Sequence, residues 1–138
     1  MSKKKSNIEK KDSIKQYIDL LYMTPSQVSA KEIAALLSNY HDLKIELWDE
    51  MNVLELNLSN NNSVDFEPLN LPFHNPSDAA FAKNRNIQTV FAIGVEQNDL
   101  TNVLPYFEKI IEMYSGFICA DSEDFQPVYA GSSDKTLR

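Results

Sequence analysis

Only three of the 138 residues are glycine (positions 94, 116 and 131), too few for a glycine-rich phosphate loop or a dinucleotide-binding fingerprint. The two arginines, Arg85 and Arg138, are poor equipment for gripping an anionic substrate. A single cysteine, Cys119, excludes an internal disulfide framework and any multi-thiolate zinc site, and suits a reducing cytoplasm. Apolar runs such as VFAI, 90–93, are far too short to span a bilayer. The opening KKK is followed by SNIEKKDSIKQY, which has no apolar stretch, so export by a signal peptide is not expected and the cytoplasm is the expected location. No serine sits in a nucleophile elbow.

What the chain does have is acid. The net charge is −7, but residues 1–15 hold six lysines against Glu9 and Asp12, or +4. The other residues therefore carry seven basic against eighteen acidic side chains, or −11. An acidic body repels nucleic acid and lipid headgroups and attracts basic surfaces. Residues 1–12 read as a flexible, solvated basic tail, with a tether to an anionic surface as the sharper alternative. Residues 13–130 read as one α+β domain, and 131–138 as a C-terminal tail. The hydrophobic fraction, 43%, is enough for a packed core.

Periodicity sets the expected elements. Ile14, Tyr17, Ile18 and Leu21 fall at helical spacing, and Pro25 ends that helix near Met23. In VSAKEIAALL, Ser29 and Glu32 form a capping box before a second helix, with Val28 and Ile33 as its apolar staple. From Leu43 the period becomes two: LKIELW and VLELNL predict a hairpin over 43–58. VDFE reads as a short third strand, and SDAAFAKN as one or two helical turns capped by Asn75 or Ser77. IQTVFAIGV, 87–95, is a strand, and a helix follows from about Leu100 to Ser115, stopped by Gly116. FICA, 117–120, is a last short strand. Strand, helix and strand with short links imply a right-handed crossover with the two strands as parallel neighbours. The expected architecture is α+β: a mixed sheet of about five strands, N-terminal helices, and a βαβ crossover packed on it.

The candidate chemistry is thin. Asp65 and Glu67 share a strand face, and with Asp121 they could supply a divalent-metal hydrolase. No carboxylate cluster carries the following lysine of restriction nucleases, and solvated acids are the default reading. Cys119 with His41 or His74 offers a thiol and a base, but FICA is a buried-strand pattern in which cysteine is an inert hydrophobe. No cofactor or metal is expected. Trp48 lies on the polar phase of its strand: either another element covers it as core, or it is an exposed aromatic among Glu46, Asp49 and Glu50, the composition of a binding hot spot. Asp121, Glu123 and Asp124 form a second acidic cluster beside Phe125.

Such a chain is better built to bind than to react. The expectation is a non-enzymatic module that masks a basic partner through Glu46, Trp48, Asp49, Glu50, Asp121, Glu123, Asp124 and Phe125, with Trp48 and Phe125 as apolar anchors. Its most concrete form is a bacterial immunity protein neutralising a nuclease-type toxin. The alternatives are the metal-dependent hydrolase and an adaptor domain of a larger complex.

Overall fold

Alternating residues in seven segments place their side chains on two faces of one antiparallel sheet, in the order β2-β3-β4-β5-β1-β6-β7. The computed structural model describes residues 15–134, so the basic stretch 1–12 and residues 135–138 lie outside it. The strands are β1 (Tyr17–Thr24), β2 (Lys44–Trp48), β3 (Val53–Asn57), β4 (Ser63–Leu69), β5 (Thr89–Glu96), β6 (Phe117–Ala120) and β7 (Val128–Gly131). The helices are α1 (Ala30–Leu36), α2 (Pro76–Asn84) and α3 (Leu100–Tyr114).

The α+β class is as expected, but the sheet is not mixed and has seven strands, not five. Two corrections follow from one strand. The segment expected as the first helix is β1, the strand between β5 and β6. Helical spacing of four apolar residues was the weaker signal there. The stronger one is the unbroken run from Leu20 to Met23, the pattern of a strand buried on both faces. Because β1 pairs antiparallel with both β5 and β6, those two strands point the same way but never touch as neighbours. The crossover through α3 therefore steps over β1 instead of joining adjacent strands. β7 is a further strand that composition did not signal, and it takes the first residue of the expected C-terminal tail, Gly131.

One face of the sheet packs against α1 and α3. Leu20, Tyr22, Leu54, Leu56, Val64, Phe66, Phe91 and Ile93 meet Ile33, Val103, Phe107 and Ile110 in the larger core. Phe66 stands edge-on to both Phe91 and Phe107, with ring centroids 6.2 and 6.4 Å apart. The other face has a smaller core over its β5, β1 and β6 part only, where Leu21, Met23, Val90, Phe117 and Cys119 meet Ala82, Ile87 and Phe125.

Local chemistry fixes how the helices attach. The capping box at α1 forms as read, with Ser29 Oγ accepting from the Glu32 amide and the Glu32 carboxylate from the Ser29 amide. Asn52, left-handed at the end of the hairpin turn, accepts the Ala30 amide at 2.6 Å and ties α1 to β3. Asn75 caps α2, with Pro76 in its first turn. At the other end of the molecule the SNNNS turn is pinned: the Asn60 and Asn62 side-chain amides donate to the two oxygens of buried Asp99. The last carbonyls of α3 are satisfied from β1, Tyr114 by Thr24 Oγ1 and Ser115 by the Tyr22 hydroxyl, both at 2.7 Å.

Gly116 makes that junction possible. Its φ of +92° favours glycine, and an added Cβ would collide with the Met23 carbonyl oxygen and Thr24. Gly116→Ala is therefore expected to cost about 2–4 kcal/mol, a clash added to left-handed strain, measurable as a lower urea midpoint at unchanged slope.

Candidate functional site

Strand register decides which acids meet. On the face opposite α1 and α3, Glu46 of β2 lies across from Glu55 of β3, and Glu55 from Asp65 of β4. Asp65 lies across from Gly94 of β5, and Gly94 from Asp19 of β1. The ladder then continues past β6, where the Asp121 amide donates to the Asp19 carbonyl at 3.0 Å. One row across six chain segments thus reads Glu46, Glu55, Asp65, Gly94, Asp19, Asp121. At about 4.8 Å per strand step it is roughly 24 Å long.

The two clusters expected from the sequence meet only through this row. Glu46 and Asp121 are its two ends, and the residues around them diverge. Trp48, Asp49 and Glu50 lie toward the end of the sheet where β2 and β1 finish, whereas Glu123 and Asp124 follow β6, which finishes at the opposite end. Trp48 is exposed (44%) and stands on the same face as the row, opposite Val53. Asp49 makes a long surface ion pair with Lys31, and Glu50 is exposed in the hairpin's 3-10 turn.

The 121–125 segment is largely occupied with itself. One oxygen of Asp124 accepts from the Gln126 amide and the Ser122 hydroxyl, so this carboxylate shapes its own turn. Glu123 remains exposed. Phe125 is not an exposed anchor: it is 4% accessible, with its ring 4.7 Å from Phe81 and 6.1 Å from Phe73. Its position among polar residues suggested a surface, but the second core needed a lid there.

Asp65 was singled out in the sequence for metal chemistry, while Asp19 and Glu55 were not singled out at all. Asp19 was hidden by the helical reading of β1. Glu55 was legible as a polar-phase residue of the hairpin, but only the register shows what it faces. Asp65 and Glu67 do share a face, with Asp121 three strand steps from Asp65. Among the described residues no group of three or more His, Cys, Asp or Glu is arranged to hold a metal ion. His41 and His74 are exposed, whereas Cys119 is fully buried. Burial, and then the charge of Asp121, push the Cys119 thiol up to about 12, so it is no nucleophile at neutral pH.

The row is electrostatically strained. A hydrogen bond to Glu46 chiefly raises the Glu55 pKa, with burial and the Asp65 charge adding to it. Asp121 is raised by burial, then by Asp19 and by Asp78 in the first turn of α2. Oδ1 of Asp65 is shielded from water and accepts no hydrogen bond, a cost of about 1–3 kcal/mol for a buried acceptor. Among the described residues the ion pairs are Lys31–Asp49 and Lys109–Glu112, and they leave all five row carboxylates out. What the arrangement can do chemically is accept cations.

No protein-family model matches the chain, and no curated protein or solved structure is significantly similar to it. Among the described residues no helix is long and apolar enough to cross a membrane.

Two outcomes follow for the row and its neighbour. Raised carboxyl pKa values favour the fold at low pH, and that contribution is lost as pH rises through the shifted values, above the ordinary carboxylate range. The double variant Glu55→Gln, Asp121→Asn should therefore be more stable than the parent near about pH 7.5, with the gain shrinking toward about pH 4.5 in urea titrations. A gain that grows on acidification would contradict the strain. Separately, Cys119 should resist aromatic disulfide reagents in the native protein and react fully once unfolded.

Proposed function

We propose that this protein is a non-catalytic binding module that masks a basic protein partner, most concretely as a bacterial immunity protein that neutralises a nuclease-type toxin in the cytoplasm. The observation that carries the reading is the carboxylate row, whose Glu46, Glu55 and Asp65 lie on the β2–β4 part of the sheet face, beyond the part that α2 covers. Among the described residues the five acids form no ion pair, so they repel one another at short range, and a cationic partner relieves that repulsion on arrival. Trp48 adds an exposed aromatic on the same face, able to take a lysine or arginine over its ring. A nuclease is basic where it holds nucleic acid, so a protein that covers that surface stops the enzyme without any chemistry of its own. The row, with Trp48, replaces the 123–125 loop as the expected contact surface.

The direct test is co-expression with the candidate toxin encoded beside this gene, followed by binding kinetics on the purified pair. Cells that make the toxin should survive only when this protein is made as well. The association rate should fall several-fold between low and physiological salt, since exposed charges are screened over about 8–10 Å. Glu46→Lys should slow association while leaving the fold within about 0.5 kcal/mol, because the site is exposed on an edge strand. Association indifferent to both salt and Glu46→Lys would refute the proposal.

A further inference from the structure

β2 is an edge of the sheet, with β3 on one side and, among the described residues, no strand on the other. The direction of its backbone groups follows from the next hairpin. The Leu58 amide donates to the Asn62 carbonyl at 2.8 Å, so Leu58 faces β4, and by alternation Asn57, Glu55 and Val53 face β2. Their partners Lys44, Glu46 and Trp48 are thus bonded to β3, which leaves the amides and carbonyls of Ile45 and Leu47 pointing outward. Edges of this kind are blunted by proline, by a bulge or by charge. β2 has no proline and pairs with β3 without a shift, so its only guard is charge: Lys44 and Glu46, both exposed on the open face. Neither belongs to an ion pair among the described residues.

We propose that this edge pairs with itself: two copies of the chain join antiparallel along β2, about a two-fold axis at Ile45, into one continuous sheet. Charge chooses the position of the axis. An axis at Lys44 sets lysine directly against lysine, and one at Glu46 sets glutamate against glutamate. An axis at Leu47 brings Ile45 opposite Asp49, which has already left the strand for the 3-10 turn. Only the axis at Ile45 sets Lys44 of each copy across from Glu46 of the other, two opposite-charge pairs related by the symmetry. It gives Glu46 a cation on its free side, where on the other side it faces Glu55. The apolar residues match as well, Leu43 opposite Leu47 and Ile45 opposite its own copy, all half-buried against the larger core. The hydrogen bonds fall on the open groups. Ile45 exchanges both of its bonds with Ile45 of the second copy, and the Leu47 amide donates to the second copy's Leu43 carbonyl. The Leu43 amide, held by the Tyr40 carbonyl at 3.2 Å, is not required. This contact is independent of the basic-partner reading, since it uses a strand edge and not the acidic face.

The test is sedimentation velocity on the full chain over a concentration series, with unfolding curves confirming that each variant is folded. A five-residue edge makes a small interface, so the wild type should dimerise weakly, in the micromolar range. Lys44→Glu and Glu46→Lys each turn both opposite-charge pairs into like-charge pairs, and each should weaken the dimer by about tenfold or more. Mixed in equal amounts, the two variants carry complementary charges at every facing position and should form a heterodimer about as tight as the wild-type dimer. The double variant Lys44→Glu, Glu46→Lys should likewise dimerise with itself. Lys44→Glu leaves every acid of the row in place, so it reads self-pairing without removing the surface assigned to the basic partner. A wild type that stays monomeric throughout the series would overturn the proposal. So would a dimer indifferent to both single changes, or one that neither mixing nor the double variant restores.

Discussion

Seven strands about 4.8 Å apart make a sheet roughly 30 Å wide, and a helix with its side chains covers only about 10 Å of it. Three helices therefore cannot cover both faces. Here α1 and α3 close one face, and α2 with the Phe73 and Phe125 rings closes the β5–β1–β6 part of the other. The uncovered remainder, spread over β2, β3 and β4, must be polar to face water. Within that requirement the chain has placed acids at register with one another, where mixed charges would have paired across the strands at lower energy.

That choice sets stability against binding. Like charges directly opposite on neighbouring strands destabilise a sheet; Glu55 is raised chiefly by its hydrogen bond to Glu46 and then by burial and Asp65, and Asp121 by burial first and the Asp19 charge second. The burden falls on the rest of the fold: the fully buried Phe66, Phe91 and Phe107, and the turn clamped by Asp99 between Asn60 and Asn62. Both lie on the far side of the sheet or at its rim. A change in the row can thus alter the electrostatics of the open face without entering the core.

Local rules served the sequence reading where the cause was local. The Ser29–Glu32 box, the 43–58 hairpin and the Asn75 cap each depend on residues a few positions apart, and each was legible. β1 failed because a run such as Leu20–Met23 satisfies either period, and only its partners, roughly 65 to 100 residues downstream, decide between them. The parallel pairing of β5 and β6 failed for the same reason, since a connection rule knows nothing of a third strand arriving from the N-terminal side. Asp19 was lost from the acidic row with β1. Trp48 and Glu46 were visible because strand alternation put them on the polar phase, whereas Phe125 was misjudged because neighbouring acids say nothing about a ring's burial.

The lodging of β1 between β5 and β6 also constrains the order of events at the ribosome. β1 precedes the other strands, yet its partners on either edge come only after three more strands, with Leu21 meeting Ala92 on one side and Cys119 on the other. An apolar strand with two open edges must wait, exposed, while roughly a hundred further residues are added at about 5–20 residues per second. Pairings this distant in sequence carry a large loop-closure cost before they are rewarded, which is the topology that slows folding, and they leave the β1 edges open through most of synthesis.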